Sequence, residues 1–199
     1  MDKIELEKTL RRELSYFSVL SYDRNLVAAK GGNISARIPD TDHILITPSG
    51  ISLKDITDDL IMKVDLDGNV IESTEGLKPS KETPFHTCIY KCRPEVKAVF
   101  HLHPPYATGL SVKGVPLPMI TAPAIVNLKE VPTIDFALMG TGELHQMVEE
   151  GIEKYKESRA FLLQQHGIIA MGADISSAFY TADLIEDCAK VEFISSLIK

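Results

Sequence analysis

The chain has 199 residues, enough for one domain with a full hydrophobic core, and it is expected to fold as a single domain over 1–199. Apolar residues make up 44% and charged residues 25%, which excludes a disordered polymer as the default. Twenty-eight acidic against 21 basic residues give a formal charge of -7, and no long basic run opposes it, so nucleic acid is excluded as a partner.

The first segment repeats Leu6, Leu10, Leu14, Phe17 and Leu20 at helical spacing among charged residues, which predicts an amphipathic helix. Its charged start is no signal peptide, no apolar run is long enough for a bilayer, and a cytoplasmic location is expected. Gly31-Gly32 breaks the helix. Strand-type segments follow at 33–38, 43–47 and 61–66, with Asp67-Gly68 as a hairpin signal before Val70-Ile71. Ser80 reads as the N-cap of a helix over Glu82–Cys92, which Arg93-Pro94 ends. Cys88 and Cys92 could share a face of it. Three cysteines (Cys188 is the third) suggest no disulfide framework, and they read as small buried residues in a reducing setting.

Val96 to Phe100 is a β-rich run leading into His101-Leu102-His103, closed by Pro104-Pro105. The segment 115–132 lacks periodicity and reads as strands and loops. A helix is expected over Thr141–Tyr155, capped by Thr141, then an apolar strand over Ala160–Gln165 ending at His166-Gly167, then a long amphipathic helix from Ile175 to Ile198. Helices alternating with strands make an α/β fold, and a layered sandwich fits the hairpin signals better than a doubly wound sheet.

Alternate residues of a strand face one side, so His101 and His103 project together, about 6 to 7 Å apart at the backbone. Both can reach one ion at roughly 2.0 to 2.1 Å, and His166 at a strand end is placed to complete a three-histidine site with an open position. On spacing alone a lone His-x-His pair is more often an ordinary surface or hydrogen-bonded pair than a metal site. His43, His86 and His145 need no metal role, and His86 reads as making a structural hydrogen bond.

Three segments suit an oxyanion: Lys30-Gly31-Gly32-Asn33, Thr47-Pro48-Ser49-Gly50 and Lys78-Pro79-Ser80-Lys81. Each alone is ordinary turn chemistry, and nothing in the sequence shows that they meet. Glu82, at the same helix start as Ser80, reads either as a helix-dipole carboxylate or as a general base, and the residues do not choose.

Taken in order, Gly-Gly-Asn-Ile-Ser (31–35), Ile-Thr-Pro-Ser-Gly (46–50), Lys-Pro-Ser-Lys-Glu (78–82), His-Leu-His (101–103) and Gln-His-Gly (165–167) resemble the class II aldolase/adducin family over nearly the whole chain. The resemblance implies a three-layer α/β/α sandwich with a largely antiparallel central sheet and a homotetramer with active sites at subunit interfaces. It implies a metal at His101, His103 and His166, zinc first and manganese or cobalt as alternatives. It places the substrate phosphate at Gly32, Asn33, Ser49, Gly50, Ser80 and Lys81, with Glu82 as the catalytic acid/base. The expected activity is aldol cleavage of a ketose or deoxyketose phosphate to dihydroxyacetone phosphate and an aldehyde through an enediolate. A sugar-phosphate 4-epimerase, decarboxylase or dehydratase on the same metal site is the alternative, and a non-catalytic adducin-like interaction module the third reading. Three features depart from the aldolase pattern. Lys81 stands where a second serine is expected. Met119 and Ile120 carry no hydroxyl where a tyrosine is expected. The chain stops at Lys199, before a tail that supplies another tyrosine.

Overall fold

The computed structural model describes residues 2–198. Eight strands form one sheet in the order β4-β3-β2-β1-β5-β8-β7-β6. They are β1 (Asn33–Arg37), β2 (His43–Ile46), β3 (Met62–Asp65), β4 (Val70–Glu72), β5 (Ala98–Leu102), β6 (Thr133–Ile134), β7 (Ala160–Leu163) and β8 (Gly167–Gly172). All neighbouring pairs are antiparallel except β6 with β7. The helices are α1 (Lys3–Asp23), α2 (Thr83–Cys92), α3 (Pro105–Ser111), α4 (Ala122–Asn127), α5 (Gly142–Lys154) and α6 (Ile175–Leu197).

Strand alternation sorts the core into two layers. One face carries Ile34, Leu45, Phe100, Leu102, Ile168 and Ala170 against Leu14 and Phe17 of α1, Ala107 of α3, and Phe179, Ala182 and Ile185 of α6. The other carries Ile44, Ile46, Val99, Phe161, Ile169 and Met171 against Phe85 and Ile89 of α2 and Leu144, Val148 and Ile152 of α5. The expected three-layer sandwich is therefore the observed one.

Local chemistry accounts for the element ends. The Asp2 carboxylate accepts from the Glu5 N–H at 2.8 Å to start α1. Thr141 does the same for α5 through Leu144 N–H at 3.3 Å, and Asp174 with Ser177 forms a capping box on α6. Between β3 and β4 the Asp65 carboxylate accepts from the N–H groups of Asp67 and Asn69.

Four expectations need correction. Helix α2 begins at Thr83, with Glu82 rather than Ser80 at the N-cap position, because Pro84 belongs to its first turn. The Ser80 hydroxyl instead accepts from the Glu82 N–H at 3.2 Å. Pro105 does not simply close β5: it opens α3, whose first N–H groups, Tyr106 and Ala107, donate to the Glu186 carboxylate at 3.1 and 2.9 Å. Within 115–132 the irregular composition hides α4, capped by Thr121. Strand β8 was not foreseen, because buried on both faces it shows no alternation.

Tight backbone packing at β8 gives a test. A Cβ on Gly167 would lie 2.3 Å from the Leu102 carbonyl oxygen and 2.7 Å from the His103 ring. Gly167→Ala is expected to cost about 1–3 kcal/mol or more in urea unfolding. Gly142→Ala, at the first turn of α5 with open space around it, should be neutral or stabilise by about 0.4–1 kcal/mol. Equal stability of the two variants would contradict this packing.

Candidate active site

The site lies where one end of the sheet meets the start of α2. Asn33 opens β1 and pairs in register with His101 of β5, so both side chains emerge side by side on the face covered by α2. His103 follows two residues later on the same side. His166 sits in the turn joining β7 to β8. That turn is held by Gln165 in a left-handed conformation (φ 58°) and by a hydrogen bond from Gln165 N–H to the Ser111 hydroxyl at 3.2 Å. The three rings converge, with centroids 4.7, 4.7 and 5.0 Å apart.

Glu82 points into their midst. Its Oε2 lies 3.1 Å from His101 Nε2 and its Oε1 3.3 Å from His166 Nε2. Only 7% of the residue is exposed, and His101 is fully buried. Burial alone would raise the Glu82 pKa, but His101 in its protonated form, by charge and hydrogen bond, the Asn33 amide, and protonated His166 outweigh it, so the direction is downward in the acid range where those rings carry charge. Burial is also the largest cause that lowers His103 to about 3 and His166 to about 4. Both rings are neutral at physiological pH, as a metal ligand requires.

The donor set fits a cation. His101 Nδ1–H donates to the Ile168 carbonyl at 3.0 Å, which leaves the Nε2 lone pair facing the Glu82 carboxylate and, at 2.8 Å, His103 Nε2. Both His166 nitrogens and Glu82 Oε1 are buried without a hydrogen-bond partner. One ligand atom from each histidine lies within 4.8 Å of the other two. A buried cluster this rich in acceptors and this poor in donors has the chemistry to hold a metal ion.

A hydrogen-bonded chain behind Glu82 was not foreseen as such. Asn33 Nδ2 donates to Glu82 Oε2 at 2.7 Å, and its Oδ1 accepts from His86 Nε2. His86 Nδ1 accepts from the Ser35 hydroxyl at 2.7 Å, and Tyr90 O–H donates to Ser35 at 2.8 Å. His86, fully buried, therefore makes the structural bonds expected of it, and burial pushes its pKa down to about 3. Asn33 Nδ2 uses one of its two N–H groups on Glu82, and the residue also lines the cavity described next. The signal available in sequence was the period of two in Asn33 and Ser35, opposite His86 and Tyr90 one turn apart on a helix.

The three oxyanion-type loops do meet. A cavity of about 190 Å³ is lined by Lys30, Gly31, Gly32, Asn33, Pro48, Ser49, Gly50, Ser80, Lys81, Glu82 and His103, with Met139 and Gly140 closing one side. The second and third loops are tied by Ser49 N–H donating to the Lys78 carbonyl at 2.9 Å and by a bridge between Pro48 and Pro79. Gly31 and Gly32 also make room for the histidines: a Cβ on Gly31 would lie 2.7 Å from His103 Nδ1, and Gly32 adopts φ +75° beside the His101 carbonyl. Lys78 does not line the cavity, and the Met139–Gly140 wall was missed because nothing in its sequence marks it.

Comparison with known proteins agrees with this geometry. The class II aldolase and adducin N-terminal domain matches residues 12–193, and the chain belongs to that family. It is 34% identical over 180 residues to an L-fuculose phosphate aldolase of Methanococcus maripaludis, covering 90% of this chain and 94% of the relative. It is 30% identical over 198 residues to a 3-oxo-tetronate 4-phosphate decarboxylase of Escherichia coli, covering 97% of this chain and 90% of the relative. The crystal structure of YgbL from Klebsiella pneumoniae superposes with a TM-score of 0.88 at 28% identity, over 97% of this chain and 92% of that one. Among the described residues no helix is long and apolar enough to cross a membrane.

The buried neutral rings set a pH dependence. A free histidine titrates near 6.5, while folded His86, His103 and His166 hold their neutral forms down to about 3, 3 and 4. Below about pH 6.5 the unfolded chain therefore binds protons the folded chain refuses, and stability falls with pH. For the metal-free protein, His86 alone accounts for about 2 kcal/mol between pH 6.5 and 5. Denaturant midpoints measured across that range should drop steadily. A flat profile would mean the rings are not held neutral.

Proposed function

We propose that this chain is a single-domain, zinc-dependent lyase that cleaves a carbon–carbon bond in a small phosphorylated sugar, with aldol cleavage of a ketose phosphate as its reaction. The observation that carries the proposal is the convergence of one buried carboxylate and three histidines at the edge of a cavity lined by three oxyanion-type loops. A bare interaction module has no use for such a cluster of unpaired buried acceptors.

The loops hold and orient the substrate. The Ser49 and Ser80 hydroxyls, the backbone at Gly32 and Gly50 and the Lys81 ammonium receive the phosphate. The sugar chain is thereby directed toward His103 and Glu82 at the inner end. His101, His103 and His166 are the residues that hold the ion, and zinc suits three neutral imidazoles with a position left open; manganese and cobalt suit them less specifically. When bound there, the ion supplies Lewis-acid polarisation of the substrate carbonyl. Glu82, facing the histidines at the inner end of the cavity, exchanges the proton at the carbon that carries the developing negative charge. Asn33 positions Glu82 through one amide N–H and has the other for the phosphate, with His86 holding the Asn33 carbonyl.

Decarboxylation of a phosphorylated 3-oxo acid is the second reading. It is favoured by Lys30 and Lys81, two cations on one small cavity, which suit a substrate carrying a carboxylate besides its phosphate. The decarboxylase of Escherichia coli at 30% identity supports it. Exposed Met139 at the cavity wall, with exposed Phe136 and Leu138 just before it in the chain, supports the homotetramer with sites at subunit interfaces, and a cytoplasmic setting accords with a phosphorylated metabolite as substrate.

Incubation with ketose phosphates should release dihydroxyacetone phosphate and an aldehyde; carbon dioxide from a phosphorylated 3-oxo acid alone would transfer the assignment to the decarboxylase. Glu82→Gln is expected to keep the metal while proton exchange and turnover fall by about 10²–10⁴. His103→Ala should lose both metal and turnover. Wild-type exchange in Glu82→Gln would place the base elsewhere.

A further inference from the structure

Helix α2 carries a second cluster of metal-type ligands, on the side turned away from the histidines. Cys88 and Cys92 are four residues apart, so they stack one turn above the other on one face. The expectation of small buried residues holds for Cys88 but not for Cys92, which is exposed. Glu149, on the neighbouring helix α5, brings a carboxylate to the same point. One ligand atom from each of the three lies within 4.8 Å of the other two.

The spacing discriminates between the uses of two thiols. Their sulfurs are 4.0 Å apart. A disulfide requires about 2.0 Å, so the helix would have to distort. Two thiolates on one tetrahedral ion sit about 3.8 Å apart, given bonds of about 2.3 Å. Coordination therefore asks for a shift of only a few tenths of an ångström. A nucleophilic role fits poorly, since burial first, then the neighbouring Cys92 and Glu149, push the Cys88 thiol up to about 12. The crowding of three potential anions that opposes a bare thiolate is what a bound cation relieves. The exposed Cys92 and Glu149 leave the position open to solvent for entry and for a water as fourth ligand.

We infer that Cys88, Cys92 and Glu149 form a second metal site, separate from the three-histidine site, selective for soft ions of the zinc class and clamping α2 to α5. Two thiolates and one carboxylate suit zinc and cobalt and disfavour magnesium and calcium, which take oxygen ligands. Because α2 begins next to Glu82, an ion here braces the helix that carries the catalytic carboxylate.

Cobalt(II) is the probe, since only a cobalt–thiolate bond gives an intense charge-transfer band in the near ultraviolet; imidazole ligands do not. Reduced, metal-free full-length protein titrated with cobalt should develop this band with saturation at one thiolate-bound ion per chain. The band should survive in His103→Ala, which separates this site from the histidines, and in Cys188→Ser. It should vanish in Cys92→Ser, a surface change that spares the fold, and in Cys88→Ser. Glu149→Gln should weaken binding by roughly ten-fold or more. Absence of the band in wild-type protein whose three thiols titrate as free, or its persistence in Cys92→Ser, would overturn the inference.

Discussion

Glu82 is a carboxylate almost shut off from water, with two imidazole nitrogens about 3 Å from its oxygens and one amide donor behind it. Burying such a charge is costly unless it is matched. The surrounding structure supplies the match in two layers. In front stand three histidines whose ligand atoms lie within 4.8 Å of one another. Behind stands the chain of Asn33, His86, Ser35 and Tyr90, in which each donor has a defined acceptor. Removing either layer leaves the charge exposed to a low dielectric without compensation, so the start of α2, the end of β5 and the start of β1 are bound to one another's positions.

The sheet makes this possible. Antiparallel pairing of β1 with β5 sets Asn33 beside His101, and pairing of β5 with β8 delivers the Ile168 carbonyl that fixes the His101 tautomer. Glycines fill the places where any side chain would push the rings apart: Gly31 and Gly167 both back onto His103. The glycine pair thus serves histidine packing as much as it serves an anion. The family relationship accounts for the shared fold, while two relatives of different named activity at similar identity, 34% and 30%, show that the shared scaffold does not by itself fix the reaction. Lys81 and Lys30 bring two positive charges to the wall of the cavity beside Glu82.

Much of this was legible in the sequence. The period of the long helices, the Asp67-Gly68 hairpin and the His-x-His pair each express one strong local rule, and the elements stand where those rules put them. What was not legible depends on partners far along the chain. Strand β8 is apolar on both faces, so it carries no alternation to read. Helix α3 starts at Pro105, in a proline pair that reads as a chain break, and its cap, Glu186, lies about 80 residues downstream. Ser80 looks like a helix cap, yet the turn it forms leaves Glu82 at the cap position with its side chain free to face the histidines. Asn33 belongs to a motif associated with phosphate, and its register opposite His101 also brings its amide to Glu82, a contact no local pattern shows. The five motifs in order gave the family, and only tertiary pairing showed how their side chains are shared out.

The central claim is that three imidazoles hold one ion next to Glu82. X-ray absorption at the zinc edge, on full-length Cys92→Ser protein, in which the thiolate pair on α2 is broken, loaded with less than one equivalent of zinc, reads the ligand atoms of the histidine site directly. The account predicts only nitrogen and oxygen neighbours at roughly 2.0 to 2.1 Å, with the multiple-scattering signature of imidazole. A shell of sulfur at about 2.3 Å, or zinc that washes away without binding, would contradict it.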